Sequence, residues 1–111
     1  MSEKKIKKNE QRCALQDILN VIGGKWSMSI IYALFTGKKR FSELERLIPG
    51  INTRMLVKEL KNMEANGIVI REVFATVPPT VEYTLTVKGL KLEPIINELN
   101  KWGQEFVGTA S

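Results

Sequence analysis

The chain has no histidine and one cysteine, Cys13, in 111 residues. A disulfide within the chain is therefore excluded, as is any triad that needs an imidazole, and a Cys/His zinc site has no support. The acids do not compensate. Glu43, Glu45, Glu59, Glu64, Glu93 and Glu98 offer no close carboxylate pair flanked by catalytic partners, and they read as solvated helix faces or capping groups. Gly23-Gly24-Lys25-Trp26-Ser27 lacks the first glycine of a phosphate loop, and Trp26 stands where Ser or Thr should follow the lysine. It reads as a turn between helices. Long apolar runs are missing too: the longest are too short to span a bilayer, and no apolar run follows Met1-Ser2-Glu3-Lys4-Lys5 as it would in a signal peptide. These absences predict a protein that is not an enzyme, holds no metal or cofactor, and resides by default in the cytoplasm.

What the chain does have is an excess of positive charge. Seventeen Lys and Arg against twelve Asp and Glu give a net charge of +5 and a sequence pI near 9.5, which favours an anionic partner, nucleic acid or an acidic membrane surface. With 43% hydrophobic and 26% charged residues the composition is that of an ordinary globular chain, long enough for one domain with a real core. That domain is placed at 13–108, after a basic arm over 1–12 carrying Lys4, Lys5, Lys7 and Lys8, and before a short tail at 109–111. The arm is either a solvated end or a contact for phosphates.

The periodicity is mainly helical. Leu15, Ile18, Leu19 and Ile22 mark one face of a first helix, which Gly23-Gly24 ends. Lys25 to Thr36 is apolar on most sides and reads as the central buried helix. Ser42-Glu43-Leu44-Glu45 fits a capping box and predicts a short helix over 43–47. Pro49-Gly50 makes a turn, and Asn52 caps a helix to about Asn66 whose apolar face is Met55, Leu56, Leu60 and Met63. Ile68 to Thr76 and Thr80 to Thr86 read as two strands joined across Val77-Pro78-Pro79. Thr86 can cap a last apolar-faced helix over about 87–107, kinked at Pro94 or starting later. The predicted fold is α+β and mainly α: a winged helix-turn-helix with a small antiparallel hairpin wing and amphipathic helices at both ends.

A helix of this kind fits a DNA major groove, and the hairpin beside it can reach flanking DNA. The Asn52 helix carries no acid in its first turn, although the positive end of the helix dipole favours one there; it carries Thr53 and Arg54 instead. A phosphate or a guanine edge in front of the helix would favour that arrangement. Thr53 and Arg54 are therefore the expected readers of base edges, Lys58 the expected phosphate contact, and Lys61 extends the basic face. Lys38, Lys39, Arg40 and Ser42 are candidates for clamping the backbone, and Arg71 and Thr80 for flanking contacts from the wing. Solvated loops and a structural role within the hairpin are the competing readings of these last residues.

Taken in order, Cys13, Ile22-Gly23-Gly24-Lys25-Trp26, Arg40-Phe41-Ser42-Glu43-Leu44, Pro49-Gly50-Ile51, Met55-Leu56, Leu60, Glu64, Gly67, Pro78-Pro79, Val81-Glu82-Tyr83, Leu85-Thr86, Gly89 and Trp102 resemble the HxlR-type family of winged helix-turn-helix transcription regulators, relatives of the MarR group. The resemblance covers nearly the whole chain. It implies a homodimer built on the terminal helices, bound to double-stranded operator DNA, and a role in gene regulation, often in response to electrophiles, aldehydes or oxidants. In some members the cysteine matching Cys13 senses thiol-reactive compounds, which makes Cys13 a candidate redox sensor, with an inert thiol as the competing reading; here Arg12 and Ala14 flank it, where many members have proline after the cysteine. No effector, small molecule or electrophile, carries over from the family as a whole. The exposed faces of the terminal helices supply the dimer contacts, with Leu15, Ile18 and Leu19 at one end and Leu99, Trp102 and Phe106 at the other. The sequence thus predicts a dimeric DNA-binding regulator, a repressor rather than an activator. The alternative is a winged helix that binds a protein partner without DNA specificity. A membrane binder is disfavoured by the lack of an exposed basic and apolar helix.

Overall fold

The computed structural model describes residues 14–108. The expected arm at 1–12, Cys13 and the expected tail at 109–111 lie outside the described residues. The chain runs through a helix over residues 14–22 (α1), α2 (Ser27–Leu34), β1 (Lys39–Arg40), α3 (Phe41–Leu47), α4 (Thr53–Ala65), β2 (Val69–Phe74), β3 (Thr80–Leu85), α5 (Val87–Leu90) and α6 (Glu93–Phe106).

Helix α2 is the centre, as its all-round apolar character predicts. Ile30, Ile31 and Leu34 are buried among Leu44 of α3, Leu56, Leu60 and Met63 of α4, Val69, Tyr83 and Leu85 of the sheet, and Ile96 of α6. The three strands form an antiparallel sheet in the order β1-β3-β2. Val69 pairs with Leu85 and Phe74 with Thr80, so Val69, Arg71 and Val73 share a face with Leu85, Tyr83 and Val81. That face packs toward the helices, and the alternation of β3 predicted it. Strand β1 is new: two residues carry no period, and only pairing with Tyr83 and Glu82 makes Lys39 and Arg40 extended.

The last helix resolves into two. Thr86 Oγ1 accepts from the amide of Gly89 at 3.0 Å and caps the single turn of α5. Gly89 passes so close to Ile68, just before β2, that a Cβ there would collide with the Ile68 carbonyl oxygen, and only glycine fits. Helix α6 then starts later, with Pro94 in its first turn, where no intrahelical amide bond is lost. Among the described residues no helix is long and apolar enough to cross a membrane.

Both terminal helices leave an apolar stripe uncovered. Leu15 is 59% exposed on α1, and Trp102 and Phe106 are 58% and 63% exposed on α6, their rings 5.4 Å apart. Ile18, Leu19, Ile95 and Leu99 continue these stripes. Burying such surface is worth about 25 cal/mol per Å².

Candidate nucleic-acid interface

Helices α3 and α4 and the turn between them form the site. Helix α3 begins at Phe41, two residues earlier than the capping-box pattern predicts, because β1 delivers Arg40 in an extended conformation at the helix start. The Arg40 amide donates to Glu43 Oε1 at 2.7 Å. Arginine has no acceptor to return the bond. Ser42 is therefore not the cap but an exposed residue of the first turn, and Glu45 is free of the role the pattern assigned it. The turn at Ile48-Pro49-Gly50 buries Ile48 and takes Gly50 through φ +89°, a region that favours glycine.

Helix α4 is capped as predicted: the Met55 amide donates to Asn52 Oδ1 at 2.8 Å. Leu56, Leu60 and Met63 are buried, and Met55 is half-buried. A further anchor holds its middle. Ser27, 1% exposed at the start of α2, donates to Glu59 Oε1 at 3.1 Å. Glu59 thus fastens α4 to α2 instead of lying on a solvated face. On the opposite side Arg54, Lys58 and Lys61, spaced i, i+4 and i+7, form one exposed stripe. Among the described residues none of the three is in an ion pair.

Thr53 is also exposed, but its hydroxyl is engaged. It donates to Glu45 Oε2 at 2.6 Å. The acid missing from the first turn of α4 is supplied by the preceding helix. Nothing in the local sequence signals this contact, because it depends on the angle of the turn.

The three basic residues at 38–40 do not lie together as one patch. Lys38 and Arg40 lie on the outer face of the sheet, within 3.6 and 4.0 Å of the Glu82 carboxylate, and Lys38 Nζ sits 5.8 Å from the centre of the Phe74 ring. Lys39 points elsewhere and donates to Thr36 Oγ1 at 3.0 Å and to the Gly37 carbonyl at 3.2 Å. Glu82 also lies directly across from Glu72, and its Oε1 is desolvated without a hydrogen bond. Arg71 is on the inner face, where it and Lys61 line a groove of about 380 Å³ with Val57, Glu64 and Val81. Thr80 bonds Thr76 Oγ1 at 2.7 Å and helps close the wing tip. The tip carries no charge from Val73 to Val81, and Val77 is 99% exposed. Among the described residues no cluster of three or more His, Cys, Asp or Glu could hold a metal ion.

A capped helix with a free basic face, set on a buried helix-turn and flanked by a three-stranded wing, is the architecture of winged helix-turn-helix DNA-binding regulators. The chain belongs to the HxlR-like helix-turn-helix family, whose model matches residues 21–111. The Bacillus subtilis HTH-type transcriptional regulator YybR, itself uncharacterised, is 50% identical over 105 residues, covering 94% of this chain and 84% of that one. Among solved structures, the redox regulator HypR in its oxidised form superposes with a TM-score of 0.79 at 48% identity, covering 84% of this chain and 96% of that one. The reduced form of the transcriptional regulator YodB from B. subtilis gives 0.77 at 36% identity, covering 88% and 96%. The protein is a DNA-binding transcription regulator of the winged type.

Proposed function

We propose that the protein binds operator DNA as a homodimer and represses transcription, with α4 in the major groove and the wing on flanking DNA. The observation that carries this reading is the stripe of Arg54, Lys58 and Lys61 on a helix whose other face is committed to the core. Arg54, at the N-terminal end, reads a base edge; Lys58 and Lys61 meet phosphates. Ser42 at the start of α3 and Arg71 beside Lys61 are in reach of the backbone alongside. Dimerisation covers the stripes of α1 and α6, through Leu15, Ile18 and Leu19 with Leu99, Trp102 and Phe106. Half-sites then lie about 34 Å apart, or a multiple of that distance.

HypR is a redox regulator by name, and that bears on Cys13, the sole thiol of this chain. In this reading Cys13, beside Arg12, reacts with electrophiles or oxidants and changes operator affinity. An open groove of about 920 Å³ between α2, the turn at Ile48 and α6, walled by Trp26, Tyr32 and Leu99, is the place for a small-molecule effector.

Footprinting on the DNA beside its own gene, paired with sedimentation at micromolar protein, tests the core of the proposal. Two protected half-sites and a dimer are expected. A monomer, or protection that is absent or insensitive to salt, contradicts it. Comparing operator binding with and without a mild electrophile, in wild type and Cys13→Ser, tests the sensor; equal responses remove it.

A further inference from the structure

We propose that Glu45 sets a base preference of the recognition helix by fixing the Thr53 hydroxyl as a hydrogen-bond acceptor. This position then selects a base edge that offers an amino group, adenine N6 or cytosine N4, over guanine or thymine. The inference rests on α4 entering the major groove.

A threonine hydroxyl has one hydrogen and two lone pairs. Left free, it rotates to suit its partner and can meet either a donor or an acceptor on a base. In this protein the hydrogen is already committed to Glu45 Oε2 across 2.6 Å, the short length of a charge-assisted bond. What Thr53 has left to present is lone pairs. The ionised Glu45 carboxylate, half-buried beside it, also only accepts. Guanine O6 and N7 and thymine O4 are acceptors, so each would meet lone pairs with lone pairs; the amino groups of adenine and cytosine would not.

The next residue has the opposite chemistry. Arg54 is exposed and carries only donors, which suit guanine O6 and N7. Neighbouring residues at one helix end thus ask for complementary features of neighbouring base pairs. The carboxylate has a second consequence. The amide-rich end of a helix ordinarily attracts phosphate, and Glu45 opposes that at α4, whose own first turn has no acid. Backbone phosphate is turned away from this end, and base edges are left to approach it.

The test uses the full chain and duplexes that it selects from a random pool, each then varied one base pair at a time. Binding is measured for wild type, Glu45→Gln, Thr53→Val and Arg54→Ala. Wild type should prefer adenine or cytosine at one position of each half-site by about tenfold or more. Glu45→Gln can donate from its amide to the Thr53 oxygen and release the hydroxyl hydrogen, so the preference there should shrink to about threefold or less, while the position that depends on Arg54 keeps its own. Thr53→Val keeps the shape without the hydroxyl and should lose the same preference, which guards against a folding defect in the first variant. A contact that only steadies the helix would lower the unfolding midpoint and leave every preference in place; that result overturns the proposal, as does a wild-type preference for guanine or thymine at the position. If Glu45→Gln alone is silent, the placement of α4 stands and the role of Glu45 falls. If Glu45→Gln and Arg54→Ala both leave every position unchanged, both fall.

Discussion

Helix α4 and the wing both carry positive charge, but they hold it differently. On α4, Arg54, Lys58 and Lys61 point outward with no ion-pair partner among the described residues. Beside the wing, Lys38 and Arg40 are drawn to the Glu82 carboxylate, and the tip from Val73 to Val81 is uncharged. Cations without partners are available to phosphates and bases. Paired ones must first leave a carboxylate, and Glu82 would then repel the same phosphates. The net charge of the chain therefore overstates the wing and understates the helix. In the proposed complex recognition therefore concentrates on α4, and the wing adds shape and contact more than charge.

The largest effect should come from breaking the platform the two regions share. Leu60 is buried in α4 and lines the groove facing Val81 and Tyr83 of the wing. Leu60→Ala should cost about 2–5 kcal/mol of stability, read by denaturant unfolding, and weaken every duplex with it. A smaller change acts on the helix alone. Asn52→Ala removes the acceptor of the Met55 amide and should cost about 1 kcal/mol of stability by the same measurement. Lys58→Ala should weaken all duplexes alike and lower the slope of log affinity against log salt by about 1, checked by a salt titration on two unrelated sequences. Glu82→Gln should move the other way. It releases Lys38 and Arg40 and relieves the opposition to Glu72, so duplex affinity should rise by up to about 1 kcal/mol with a steeper salt slope. Equal or weaker binding by that variant would mean that Glu82 orients the wing and does not restrain its cations.

Much of this fold was legible because its signals are local. The Asn52 cap, the apolar face of α4, the alternation of Val81, Tyr83 and Leu85, and the Thr86 cap all lie within a few residues of what they determine. The features that were not legible depend on residues far apart in the chain. The pattern Ser42 to Glu45 fits a capping box, yet pairing of Lys39 and Arg40 with β3 starts the helix earlier and gives the capping acid's place to Glu43. The same pairing splits Lys38 and Arg40 from Lys39, since neighbours on a strand face opposite ways. Glu59 looks like one more surface acid until Ser27 meets it from thirty-two positions away. The engagement of the Thr53 hydroxyl was likewise not legible, because its partner Glu45 comes from the preceding helix.

In the proposed complex the N-terminal end of α4 carries the sequence information. The most direct test of this is binding of wild type and Arg54→Ala across duplexes that vary one base pair at a time. The variant should lose about 1–3 kcal/mol on the preferred sequence, with the preference flattened at one base pair of each half-site and kept elsewhere. A uniform loss across all sequences, or an unchanged profile, would contradict it.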